Sequence, residues 1–137
     1  MNTNLQAEDY DALGAFRYAM RKFLRFSKEF LAAEAKLTPE QYEALLAVKT
    51  RSNSNGITVG ELSERLQVKH HTAVSNLDKL VTRKLVVRQR ASDDRRHVNI
   101  KLTKLGNSVL ARLAEIHRRE IRHRSSEMMG ALRRLQT

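Results

Sequence analysis

The sequence predicts a mainly α-helical fold with one small β-hairpin, an α+β arrangement in which helices precede and follow the hairpin. Three observations carry that reading. Apolar residues recur at helical spacing along most of the chain, whereas a period of two appears only between Leu85 and Leu102. One Pro and five Gly in 137 residues are too few for a loop-rich sandwich. An apolar fraction of 41% supplies one modest core, and the length fits a single domain.

The first helix is expected from about Tyr10 to Ala33. Phe16, Met20, Phe23, Ser27 and Phe30 fall on one stripe, widened by Leu13, Leu24 and Leu31. Such a stripe serves either as core or as a subunit interface, since obligate dimer interfaces resemble a core cut in half. The second helix starts at Thr38-Pro39-Glu40-Gln41. Thr38 can accept from the Gln41 amide, Gln41 can reach back, and Pro39 sits where its missing N–H costs nothing. Leu37 and Tyr42 occupy the hydrophobic-staple positions. The device recurs at Thr58-Val59-Gly60-Glu61, with Ile57 and Leu62 as the staple pair. Between the two, Arg51 to Gly56 is a turn-rich loop.

The third helix is short and ends near Gln67, and a fourth follows Val68-Lys69. Its apolar positions are Ala73, Leu77, Leu80 and Val81; the opposite face shows His70, His71, Ser75, Asn76 and Lys79. Two short helices joined by a tight turn, the second with a polar face, have helix-turn-helix geometry. Leu85 to Arg90 then reads as a strand and Ala91-Ser92-Asp93-Asp94 as a turn. His97 to Leu102 is a second strand with Val98, Ile100 and Leu102 on one face. This hairpin with a charged tip is a wing. Thr103 caps a long helix expected to bury Val109, Leu110, Leu113, Ile116 and Ile121. The polar stretch from Arg122 to Glu127 is expected to interrupt it, before a last short helix with Met128, Met129, Leu132 and Leu135.

Lys plus Arg total 26 against 15 Asp plus Glu, a net charge of +11. Residues 57–103 hold ten basic against five acidic residues, and residues 104–137 eight against three, so the excess is localised. A polyanionic partner is implied, nucleic acid ahead of anionic lipid. Without cysteine, disulfides and cysteine zinc sites are excluded. No apolar run is long enough to span a membrane, and the polar residues from Met1 to Asp11 do not read as a signal peptide, so a cytoplasmic protein is expected. No catalytic triad, paired-carboxylate site, P-loop or dinucleotide fingerprint occurs, so neither enzyme activity nor a cofactor is expected. His70 and His71 point about 100° apart on a helix, and His117 and His123 miss the i, i+4 face, so no metal site is expected.

In their order along roughly residues 10 to 136, these features resemble the MarR family of winged helix-turn-helix transcriptional regulators. That family's wing signature is Asp-x-Arg, five variable residues, then Leu-Thr-x-x-Gly. It stands here as Asp94-Arg95-Arg96, His97 to Lys101, and Leu102-Thr103-Lys104-Leu105-Gly106. Leu37 to Tyr42 and Leu62 to Val68 add to the likeness. Two positions depart from it. Lys69 stands where the family usually has a Ser that caps the recognition helix. Lys84 stands where it usually has Gly before the wing, and a left-handed residue there would cost Lys about 1 kcal/mol.

The resemblance implies one MarR-type domain, with 37–103 as the winged helix-turn-helix region and 1–36 and 104–137 as dimerisation helices. It implies a homodimer acting as a repressor on a near-palindromic operator in double-stranded DNA. Lys69, His70, His71, Thr72, Ser75, Asn76 and Lys79 would meet the major groove, where Asn can pair bidentately with adenine. Arg95 or Arg96 would enter the adjacent minor groove, and Asp94 would pair with an arginine to hold the wing. Arg88, Arg90 and Lys101 would meet phosphates, which adds affinity without sequence information. Control by a small aromatic acid makes Tyr10, Phe16, Tyr18 and Tyr42 candidates for an effector pocket, although the same aromatics also read as plain core. The run Arg118, Arg119, Arg122, His123 and Arg124 reads as a solvated side pairing with Glu115 and Glu120, ahead of a second DNA surface. Two alternatives remain: a non-specific architectural DNA-binding protein, and a winged-helix protein-interaction module. Polar groups instead of apolar anchors on the presented helix count against the second.

Overall fold

A computed structural model describes residues 4–51, 56–91 and 94–136, with the side chains of residues 91 and 94–97 outside the described part. The elements are α1 (Ala7–Ala35), α2 (Pro39–Thr50), α3 (Val59–Leu66), α4 (His70–Thr82), β1 (Val86–Ala91), β2 (Asp94–Leu102) and α5 (Lys104–Leu135). They form two compact units, Met1–Phe30 with Ala114–Thr137, and Leu31–Leu113. The mainly helical class with one antiparallel hairpin is the one the sequence predicts.

Both capping boxes form in the Leu31–Leu113 unit. The Gln41 N–H donates to Thr38 Oγ1 at 3.2 Å while Gln41 Oε1 accepts from the Thr38 N–H at 3.0 Å. Glu61 and Thr58 do the same at 3.1 and 3.2 Å. Each box satisfies two amides that a helix start leaves without partners. The turn after α3 rests on Gln67, whose φ of 53° is left-handed. There the Gln67 and Val68 amides donate back to the Glu64 and Ser63 carbonyls, both at 3.1 Å. The core of the unit gathers Leu45, Val48, Leu62, Leu77, Leu80 and Ile100, all buried.

The hairpin pairs Val86 with Leu102, Arg88 with Ile100 and Arg90 with Val98, then shifts register so that Ala91 meets Asp94. The strands therefore run further than expected: Ala91 and Asp94, assigned above to the turn, are paired strand ends. Ser92 and Asp93 lie outside the described residues. Ile57, expected only as a staple, also joins the sheet. Its N–H donates to the Ile100 carbonyl at 3.3 Å and its carbonyl accepts from the Ile100 N–H at 2.8 Å.

The wing base explains the Leu-Thr-x-x-Gly pattern physically. Thr103 Oγ1 accepts the Gly106 N–H at 2.9 Å and donates to the Lys84 carbonyl at 2.7 Å, tying the start of α5 to the turn between α4 and β1. A Cβ at position 106 would fall 2.0 Å from the Leu85 carbonyl oxygen, so only glycine fits. Lys84 takes the left-handed conformation, φ 61°, that a glycine would take more cheaply. The Leu85 amide donates to the Leu80 carbonyl at 3.0 Å and the Lys84 amide to the Val81 carbonyl at 2.9 Å, a Schellman motif closed on lysine.

In the other unit, α1 and α5 meet around a buried histidine. His117 is 4% exposed and its Nε2 lies 2.8 Å from Ser27 Oγ, also buried. The rings of Phe23, Phe26 and Phe30 stand edge-on to the imidazole at 6.2, 6.2 and 5.4 Å between centroids. Lys22 pairs with Glu127 at 2.7 Å, which with the Ser27–His117 contact makes the two helices antiparallel.

Two expectations fail on α5. It is one helix from Lys104 to Leu135, with no interruption between Arg122 and Glu127. That stretch is polar but holds neither Pro nor Gly, and polarity alone does not stop a helix. Ser125 Oγ donates to the Arg122 carbonyl at 2.8 Å and Arg124 pairs with Glu120 at 2.7 Å within the continuing turns. Leu110 and Leu113 are buried as expected and Val109 and Ile116 half-buried, but Ile121 is exposed. His117 holds the centre of the inward line, and Ile121 is turned about 40° toward its edge. No described helix is long and apolar enough to cross a membrane.

Candidate nucleic-acid interface

The turn between α3 and α4 sets out the second helix with Ala73, Leu77 and Leu80 inward and buried. The opposite side, within about 60° of directly outward at 100° per residue, carries His71, Ser75, Asp78, Lys79 and Thr82. All five are exposed. His70 is exposed on one flank; Thr72 and Asn76 are half-buried on the other. Lys69 is the exposed N-cap and forms no side-chain cap, but its carbonyl accepts the Thr72 and Ala73 amides at 3.0 and 3.1 Å. Of the seven recognition-helix candidates, His71, Ser75 and Lys79 point furthest outward.

Asp78 is the residue that pattern reading passed over. An acid on this face would repel a phosphate backbone, but Arg88 of β1 forms a salt bridge to it. The register explains how. Arg88 lies opposite Ile100, so its side chain leaves the hairpin on the side that faces the core and α4. Its guanidinium is thereby engaged by Asp78. Arg90, two residues on, shares that side of the hairpin and Lys101 takes the other; both are exposed. The backbone of Asp94, Arg95 and Arg96 belongs to β2, and their side chains lie outside the described residues.

Arg83 was also missed. Its Nη1 donates to the Lys36 carbonyl at 2.9 Å and its Nη2 to the Ala35 carbonyl at 2.6 Å. A cation four residues past Lys79 gives no sign in sequence that its partners are carbonyls 47 and 48 residues away.

The four effector candidates do not share one face. Tyr10 and Tyr18 are each 62% exposed on α1. Phe16 is half-buried and, two residues from Tyr18, points about 200° away from it. Tyr42 is buried in the other unit, and that burial pushes its phenol pKa up. In the basic run of α5, Arg118 and Arg119 pair with Glu115 and Arg124 with Glu120, as expected of a solvated side.

Residues 35–97 match the family model of the MarR family. Among curated proteins none matches the chain. Solved structures agree on the fold. MepR, a transcription regulator of the Staphylococcus aureus multidrug efflux pump MepA, is 22% identical over 82% of this chain and 80% of its own, with a TM-score of 0.72. A single-residue variant of S. aureus MepR bound to an oligodeoxyribonucleotide is 24% identical over 85% and 82%, at 0.68. A cysteine-to-serine variant of MarR from E. coli, complexed with operator DNA, is 26% identical over 72% and 68%, at 0.63. With the capped helix-turn-helix, the paired wing and its Leu-Thr-x-x-Gly base in place, residues 35–97 carry the likeness to the MarR family and the chain has the winged helix-turn-helix fold of MepR and MarR.

Proposed function

We propose that this protein is a dimeric, sequence-specific DNA-binding transcriptional regulator that represses from a near-palindromic operator in the cytoplasm. One observation carries the reading: the outward face of α4 offers His71, Ser75 and Lys79, and its only acid is neutralised by the wing. A helix with hydrogen-bonding groups and no apolar anchor suits base edges in a major groove. The DNA-bound MepR and MarR structures support the same use of this fold. Lys69, His70, Thr72 and Asn76 border the reading face, and Arg90, Lys101 and the wing-tip Arg95 and Arg96 supply backbone and minor-groove contacts, with Asp94 holding the wing. Arg88 serves by holding Asp78.

A second copy of the chain is the partner. Leu13, Met20 and Leu24 on α1, and Ile121, Leu132 and Leu135 on α5, are exposed in the single chain. Stripes of this length are what a dimer interface covers. A small aromatic acid is the ligand class for release, with Tyr10, Phe16, Tyr18 and Tyr42 as the residues to test.

The experiment is selection from a randomised duplex pool, followed by affinity measurement at several salt concentrations. Enriched sites should be near-palindromic, with half-sites about 10 base pairs apart. They should outcompete random DNA by about 10³ or more. Asn76→Ala should relax the preference at one or two positions per half-site, costing about 1–3 kcal/mol if the contact is bidentate. Equal affinity for selected and random DNA would overturn the proposal in favour of an architectural protein.

A further inference from the structure

The residue that ends α4 also caps a different helix with its side chain. The last turn of α1 contains no basic residue, although the carbonyls there carry the negative end of the helix dipole. The chain then leaves the helix through Lys36 in the left-handed conformation, φ 52°, with the Leu37 amide donating to the Leu31 carbonyl at 3.2 Å. The cation missing from α1 arrives from elsewhere. Arg83 sends two guanidinium nitrogens to the Ala35 and Lys36 carbonyls, at 2.6 and 2.9 Å. The same residue ends α4: its backbone N–H donates back to the Lys79 carbonyl at 3.1 Å. One residue thus closes α4 with its backbone and α1 with its side chain.

We infer that Arg83 is a positioning residue for DNA reading, a strut that fixes the recognition helix to the end of α1, and not a phosphate contact. Three features carry this beyond the contact itself. A planar fork reaching two successive carbonyls constrains direction as well as distance, which a lysine ammonium cannot do. Both acceptors are backbone atoms at a helix terminus, so they cannot rotate away as a side-chain partner would. The strut also joins α4 at its C-terminal end, so the reading residues from His70 to Lys79 form a lever anchored beyond Lys79. A half-site is read correctly only when that lever points into its groove, and two half-sites only when both levers do. The role presumes the DNA-binding reading proposed above.

The test compares Arg83→Lys, which keeps the charge and loses the fork, with Arg83→Gln, which loses both. Each is measured against the wild type on the duplex selected by the wild type, at several salt concentrations and with amide hydrogen exchange. A positioning role predicts that both variants lose about tenfold or more on the two-half-site duplex, the scale expected for a charge-assisted pair of bonds. Both keep the wild-type slope of log K against log salt. In both, exchange of the amides at the end of α1, Leu31 to Leu37, should accelerate while that of α2 and α3 does not. A phosphate contact predicts the opposite: Arg83→Lys binds like the wild type and Arg83→Gln flattens the slope by about 0.9. That pattern, or unchanged exchange at Leu31 to Leu37, overturns the strut. A wild type that prefers no sequence would instead overturn the function proposed above, and the exchange measurement would still decide whether the strut exists.

Discussion

At Lys84 the backbone adopts φ 61°, where the Cβ of any L-residue crowds the carbonyl that follows it. Two amide bonds of the Schellman motif hold it there, so the strain is outvoted, not absent. Lys84 is exposed and its side chain is not needed for packing. Replacing it with glycine should therefore stabilise the protein by about 0.5–1 kcal/mol, read as a rise in the urea midpoint at constant m-value. A midpoint that falls would mean that the lysine side chain contributes something its exposure hides. Glu43 strains the protein in another way. Desolvation, with Glu40 one turn earlier adding repulsion, raises its carboxyl pKa above the ordinary value. A raised folded-state pKa favours the fold below the carboxylate range and loses that benefit as pH rises through the folded value. Glu43→Gln should thus melt slightly higher than the wild type near pH 7, and the two should converge near pH 4 or below. A gap that persists in acid would assign the effect to something other than ionisation.

At the scale of elements, junctions carry more specificity than the helices they join. Gly106 lets α5 start against the backbone of Leu85, and a methyl group there would meet a carbonyl oxygen at 2.0 Å. The clash involves backbone on both sides, so no rotamer change relieves it. Gly106→Ala should cost about 3 kcal/mol or more, measured by chemical denaturation, and loosen the wing base first. The junctions also divide what was legible in the sequence from what was not. Both capping boxes, the turn at Gln67 and the alternation of β2 could be read because their partners lie within a few residues. The same locality made Thr103 readable as a cap. What escaped depends on long separations: the Ile57 pairing with Ile100, the Asp78–Arg88 bridge, the Arg83 strut, and the burial of His117 against Ser27. A serine inside a phenylalanine stripe and a histidine in line with Leu110 and Leu113 were the only hints of that last pair. The α5 error has a different cause. Polar residues at 122–127 were read as a stop, when a helix requires a breaker or a cap to end. At the candidate site, residue type and spacing placed His71, Ser75 and Lys79 on the exposed side of α4, where the structure also has them. Which cations on it are already engaged needed the structure.

On the scale of the whole molecule, the exposed apolar stripes of α1 and α5 make a statement about assembly that can be tested without DNA. Leu24 and Leu132 are 49% and 45% exposed in the single chain, so neither holds the fold of one protomer together. If a second copy covers them, the double variant Leu24→Glu with Leu132→Glu should dissociate to monomers by light scattering while keeping its helical circular dichroism. Operator affinity should fall with it, because one protomer reaches one half-site. A variant that remains dimeric would move the interface elsewhere on the surface.

The two compact units are joined at Phe30/Leu31 and at Leu113/Ala114, and both joins lie inside continuous helices, α1 and α5. A loop can gain or lose a residue while its ends stay put, but a helix cannot. One residue inserted at either join would rotate everything beyond it by about 100° and advance it by about 1.5 Å. Each side chain past that point on the same helix would turn to a different face of it. Length variation among proteins built on this plan should accordingly be absent from both of these helical positions.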